Sequence, residues 1–200
     1  MCNFYGVKVS YREYVELMEW LNRPLVDPPP QAAPNLPPLE VRPTDTAPIL
    51  RPTDGGMQLA QLKWGFAPAA PKRPPVYNFR SEGRAFTRGR CLIPASYFYE
   101  FTGAKSPKTR WRFTKAGEDW FCIAGLWRPA QGPWPESYTM LTTEPGPDVA
   151  PYHDRQIVVL ERDQWSAWLD PAVDPAPLLK PLPAGSLSVE QAAAGARSYG

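Results

Sequence analysis

The sequence predicts an α+β fold: a mainly antiparallel sheet system, barrel-like at its core, with a few peripheral helices. Three observations predict it. Short runs of strand length recur from Met57 to Leu160. Helical periodicity is confined to two brief stretches. Twenty-seven prolines among 200 residues cut the chain into loops and extended segments. Hydrophobic content of 43% and charged content of 21% are those of a soluble globular chain. Its length suits a single domain over residues 1–190, with a proline-rich excursion at about 24–56 and a disordered tail over 191–200. No run of about 18 apolar residues is present to span a membrane. No charged segment followed by an apolar one marks a signal peptide. The three cysteines, Cys2, Cys91 and Cys122, are odd in number and irregularly spaced. That argues against a disulfide framework and against a zinc site, and fits a reducing cytoplasm.

The elements follow in order. Asn3-Phe4-Tyr5 is apolar enough to enter the core and fix the position of Cys2. Ser10 and Glu13 have capping-box spacing, and Tyr14, Leu17, Met18 and Leu21 recur at helical period, giving a helix over about 11–22 that Pro24 ends. The prolines between 24 and 56 exclude helix and central strand, leaving short edge strands near Glu40–Arg42 and Ala47–Leu50. Asp54-Gly55-Gly56 is a turn signal, and Met57–Trp64 alternates as a strand. Arg90–Ile93 and Ser96–Phe101 read as strands broken by Pro94. Thr109–Thr114 and Trp120–Leu126 read as a hairpin, Tyr138–Thr143 as a further strand and Gln156–Leu160 as one apolar strand. Asp163 caps a helix over Gln164–Leu169, and a last strand lies at Ser186–Val189.

Charge and reactive groups suggest chemistry. Between Lys72 and Arg112 stand ten Lys or Arg, Arg80, Arg84 and Arg90 among them, against two acids, Glu82 and Glu100. That is a local +8 in a chain of net +2. With aromatics interleaved, such a stretch suits phosphates and stacked bases, or else it is a solvated basic face. If Met1 is removed, Cys2 presents an amine and a thiol on neighbouring carbons. This 1,2-aminothiol can form a Schiff base with an aldehyde and then close a thiazolidine ring. An α-amine has a pKa of about 7.7–8.0, so part of it is neutral near pH 7. His153 is the single histidine and the first candidate for proton transfer. Glu100 lies in Tyr97-Phe98-Tyr99-Glu100-Phe101, where alternation points it away from Tyr99 and Phe101. Desolvation there would raise its pKa, or a nearby arginine would pair with it. Asn78 could orient a carbonyl or the aminothiol, or simply sit in a turn.

The ordered set Met1-Cys2, Trp64-Gly65-Phe66-Ala67-Pro68, Asn78-Phe79-Arg80-Ser81-Glu82, Arg90–Ala95 with Tyr97–Phe101, Ala124-Gly125-Leu126-Trp127, Thr139–Thr143 and His153-Asp154-Arg155 resembles the SOS-response-associated peptidase family, also called abasic-site processing proteins. The resemblance implies covalent capture of abasic sites in single-stranded DNA. Cys2 would be the nucleophile, Asn78 would position it, Glu100 would move protons, and His153 would stabilise the opened sugar. Trp64, Arg80, Ser81, Arg84 and Arg155 would line the DNA cleft. The expected partner is single-stranded DNA containing abasic sites, with no membrane, no metal and no cofactor, for a protein acting as a monomer in the cytoplasm. The term peptidase reflects a proposed self-cleavage that exposes Cys2. The chain departs from the family pattern after Cys2, where Gly-Arg-Phe is usual and Asn3-Phe4-Tyr5 stands here. The missing arginine is a phosphate contact in relatives. Gln156-Ile157 replaces the usual Met-Pro. Two other readings stay open: a Cys/His thiol peptidase or amidase, and a non-catalytic binder of single-stranded nucleic acid.

Overall fold

The computed structural model describes residues 2–23, 25–26 and 39–192. Met1, much of the proline-rich excursion and the tail from 193 lie outside them, so the expected disorder of that tail is not addressed. The strands are β1 (Tyr5–Val7), β2 (Leu39–Val41), β3 (Thr46–Thr53), β4 (Gly56–Trp64), β5 (Asn78–Arg80), β6 (Arg90–Ala95), β7 (Tyr97–Thr102), β8 (Thr109–Lys115), β9 (Phe121–Arg128), β10 (Ser137–Thr143), β11 (Gln156–Ile157), β12 (Val159–Leu160) and β13 (Leu187–Gln191). Helix α1 (Tyr11–Trp20) follows β1, and the short α2 (Trp165–Leu169) follows β12. The expected α+β class is the one found. No described helix is long and apolar enough to cross a membrane.

A five-stranded antiparallel sheet has the order β13-β8-β7-β1-β2. The eight-stranded sheet runs β11-β10-β4-β3-β6-β9-β12, with β5 on β10. Because β10 pairs with β9 as well as with β4, the strands β4, β3, β6, β9 and β10 close on themselves. Closure leaves no open edge within that ring. The core fills the space between the two sheets. Phe98 stacks on Phe113 at 4.8 Å within the first sheet, and the Tyr5 and Tyr138 hydroxyls meet across the gap at 2.6 Å. Helix α1 begins as expected: Ser10 Oγ accepts from the Glu13 amide, Glu13 accepts from the Ser10 amide, and Tyr14, Leu17 and Met18 are buried.

Several expectations are corrected. The prolines do not exclude a central strand. β3 lies between β4 and β6 and carries Pro48 and Pro52. It tolerates them because its ladder to β6 is one register pair, Leu50 with Leu92, so few donors are needed on that edge. Pro94 does not break β6 but pairs opposite Cys122, and the break falls at Ser96. β8 and β9 are not a hairpin. β8 pairs with β7 and β13 in one sheet, whereas β9 belongs to the other. Gln156–Leu160 splits at Val158 into two strands with different partners, β10 and β9. Glu161, not Asp163, stands at the start of the second helical segment, its amide donating to Gln164 Oε1 at 3.0 Å. Gln191 belongs to β13.

Candidate active site

β1 lies against β7 with Tyr5 opposite Phe98, so the residues ahead of it run beside Tyr99 and Glu100. The Tyr99 amide donates to the Phe4 carbonyl at 3.0 Å, and the Cys2 thiol is 3.5 Å from the same oxygen. Cys2 has no exposed surface, and burial, then the nearby Glu100 charge, pushes its thiol up to about 12. The other sheet supplies Asn78, held at the start of β5 by parallel pairing of Asn78 with Met140. Its Nδ2 donates to the Cys2 carbonyl at 2.7 Å, while its buried Oδ1 has no hydrogen-bond partner among the described residues. An unpaired buried acceptor is costly unless something else comes to fill it.

Glu100 projects from β7 to the inner side of the sheet and is 1% exposed. Burial raises its carboxyl to about 7, and the negative charge of Asp154 pushes the same way. At neutral pH it is therefore poised to take up or release a proton. His153 sits just before β11 on a turn in which its amide donates to the Val149 carbonyl at 3.0 Å. Its Nε2 is 3.9 Å from Glu100 Oε2. Two groups compete for its Nδ1: the Arg155 amide at 3.0 Å, which needs a lone pair there, and the Asp154 carboxylate at 2.8 Å, which needs a proton. Burial holds the imidazole below its usual range, and Asp154 is 90% exposed and can turn to water. We therefore assign a neutral ring with Nδ1 as acceptor and Nε2–H toward Glu100. Cys2 and Glu100 come from one sheet and Asn78 and His153 from the other, so the cluster spans the seam between them.

One part of this site, Trp111, stands in the sequence only as one of the aromatics interleaved in the basic stretch. Trp111 stands directly opposite Glu100 in the β7–β8 register, half-buried, and its ring lies 4.7 Å from Tyr152, the neighbour of His153. The Trp111 indole N–H donates to Thr102 Oγ1 at 2.8 Å, which fixes the ring. Together they form an aromatic wall beside the carboxyl and the imidazole. The alternation of β8 held the signal, but pairing β8 with β9 concealed which residue faces Glu100.

The family model described as SOS response associated peptidase (SRAP) matches residues 1–194. The chain belongs to this family. Two curated relatives of Bacillus subtilis (strain 168) are similar: abasic site processing protein YoaM, 32% identical over 130 residues, and abasic site processing protein YoqW, 30% over 131. The matches cover 57% of this chain in both cases, and 57% and 58% of the relatives, so the chain aligns with little more than half the length of either. Among solved structures, a Bordetella bronchiseptica protein is 25% identical with a TM-score of 0.72, covering 96% of this chain and 100% of that one. A Bacteroides thetaiotaomicron protein is 16% identical with a TM-score of 0.73, covering 96% and 93%, a likeness of fold alone.

The residues expected to line a DNA cleft in this SRAP chain have different surroundings. Arg80 and Arg84 are exposed, with the Arg84 guanidinium 4.6 Å from the Phe79 ring centre. Ser81 is buried, its amide donating to the Thr142 carbonyl at 3.0 Å. Trp64, expected to line the DNA cleft, has no exposed surface. It packs edge-on to Tyr5 and donates its indole N–H to the Tyr77 carbonyl at 2.8 Å. Its part is to fix the backbone just ahead of Asn78. Arg155 is also committed internally, to both Glu82 carboxylate oxygens, the Thr142 carbonyl at 2.9 Å and the Thr142 hydroxyl at 3.1 Å. Arg90, counted in the basic stretch, is buried and contributes nothing to a surface. Among the described residues no group of three or more His, Cys, Asp or Glu could hold a metal ion.

Proposed function

We propose that this SRAP protein, once Met1 is removed, captures abasic sites in single-stranded DNA as a thiazolidine on Cys2. The freed Cys2 amine adds to the aldehyde carbon of the opened sugar, and loss of one water leaves a Schiff base. The Cys2 thiol then adds to the same carbon, its proton passing to the imine nitrogen, so the two steps release one water in all. A thiol held near 12 is neutral at physiological pH and needs a base at the moment of attack. Glu100, near 7, can take that proton and return it to nitrogen. His153, with Nε2–H turned inward, can donate to the oxygen of the opened sugar. Asn78 holds the Cys2 carbonyl and offers its unfilled Oδ1 to a hydroxyl or an amine.

The single observation that carries this reading is the meeting of Cys2 with Asn78 and Glu100 at the sheet seam. The names of the two Bacillus relatives, abasic site processing proteins, point the same way. A thiol peptidase fits less well. Such enzymes depress the thiol pKa with an adjacent imidazolium, whereas this thiol is raised and the imidazole faces a carboxyl. Intact-mass spectrometry after mixing with an oligonucleotide bearing one abasic site tests the proposal. The expected product is the chain lacking Met1 plus the oligonucleotide, less one water, and it disappears in Cys2→Ala. An adduct that persists in Cys2→Ala, or none with protein lacking Met1, refutes it.

A further inference from the structure

The face of the five-stranded sheet turned away from Glu100 carries a row of rings topped by cations. Alternation on β7 places Tyr97, Tyr99 and Phe101 there, and Phe4 joins them in a cluster separate from the main core. Tyr97 lies so close over Gly6 that a Cβ at that position would come within 2.0 Å of its ring, so the ring is held flat on the sheet. The Arg42 guanidinium lies 4.3 Å from the Phe4 ring centre, Arg110 lies 4.7 Å from Tyr99 and 6.0 Å from Phe4, Arg112 lies 4.5 Å from Tyr97, and Lys8 Nζ lies 5.6 Å from Tyr97. These cations come from β8 and from the ends of β1 and β2, so they cross the sheet from strand to strand. Among the described residues this face carries Glu40, opposite Gly6, and Glu190, which pairs with Arg112 at 2.9 Å, with Asp45 beside the Arg42 backbone. Among the described residues neither the Lys8 ammonium nor the Arg42 guanidinium forms an ion pair with a carboxylate, although the Arg42 backbone amide donates to Asp45 Oδ2 at 2.8 Å. A guanidinium stacked on a ring directs its N–H donors outward in one plane, the geometry that grips a phosphate.

The row starts at the reactive end of the chain. The Phe4 carbonyl receives both the Tyr99 amide and the Cys2 thiol, so the Phe4 ring is two residues from the proposed nucleophile. We propose that this strip, Arg42 and Arg110 above all, binds the phosphates of the DNA strand flanking the residue held at Cys2. The inference rests on the crosslinking reading and names the surface that presents the strand.

Non-covalent binding tests the strip apart from the crosslink. Cys2→Ala protein is titrated with a fluorescein-labelled oligothymidylate over a range of salt concentrations. Arg42→Gln and Arg110→Gln, each in that background, should weaken binding and flatten the slope of log affinity against log salt by about 0.7 apiece. Arg12→Gln, an exposed arginine of α1 tied to Glu16, should leave the slope alone. Circular dichroism shows whether each variant is folded. Unchanged slopes in folded Arg42→Gln and Arg110→Gln overturn the strip, as does a parent affinity insensitive to salt. Crosslinking by protein with Cys2 intact is scored in parallel. Adducts with unchanged slopes reject the strip alone; flattened slopes without any adduct uphold it and reject the crosslink.

Discussion

Glu100 shows how one strand position sets the behaviour of a site. A free glutamate side chain titrates near 4.5, and burial on the inner face of β7 moves this one to about 7. Between those values the folded chain holds a proton that the unfolded chain has lost. The folded state binds more protons, so stability falls as pH rises through that window and levels off above it. The loss amounts to about 3 kcal/mol, at roughly 1.4 kcal/mol per pH unit. Glu100→Gln, which stays neutral, should remove this dependence. Urea unfolding at pH 5 and pH 7.5 reads the difference: wild type declines between the two, and the variant declines by at least 2 kcal/mol less on the same scale. Equal declines would show that Glu100 titrates normally. The same variant should slow thiazolidine closure, because it can neither take nor return the thiol proton.

At the scale of elements, Arg90 ties together pieces that no ladder joins. From the first position of β6 its guanidinium donates to five backbone carbonyls: Ala85 and Phe86 in the loop before β6, Trp168 in α2, and Asp170 and Val173 beyond it. Each is an acceptor outside sheet pairing, and the fork shape of arginine suits it to several at once. Arg90→Met should leave those carbonyls short of donors and cost about 3 kcal/mol in urea unfolding. Arg90→Lys, with a compact head group, should recover only a minor part of that. A lysine variant as stable as wild type would show that charge alone suffices. The basic stretch was visible in the sequence, but composition cannot separate Arg90, turned inward, from Arg80 and Arg84, which face water. Strand existence was likewise legible where apolar alternation was strong, as in β4 and β10. Strand partners were not. Proline propensity misled at β3 and Pro94 because tolerance depends on whether a neighbour needs the missing N–H, and that is a property of the assembled sheet.

Across the whole molecule, the candidate site exists only because two sheets meet. Cys2, Asn78, Glu100 and His153 were each singled out in the sequence from their chemistry and the family resemblance. Their convergence depends on the pairings of β1 with β7 and of β5 and β11 with β10, contacts of long sequence separation. Trp64 is where that dependence can be measured. The sequence suggested a DNA contact, yet its indole fills the space beneath Tyr5 of one sheet and holds the Tyr77 carbonyl of the other. Removing it should therefore act on the joint and leave the charged surface intact. Trp64→Ala should lower unfolding free energy by about 3–5 kcal/mol, and Trp64→Phe, which keeps a ring and loses the donor, by less. The salt slope for undamaged single-stranded DNA should match wild type in the folded Trp64→Phe variant, because no phosphate contact has been removed. Its crosslinking should nonetheless slow, since Asn78 follows directly on the backbone that the indole anchors and small displacements of a positioning group are costly to rate. The opposite pattern, wild-type stability with a flattened salt slope, would place Trp64 on the DNA and disprove the seam as the element that aligns the site.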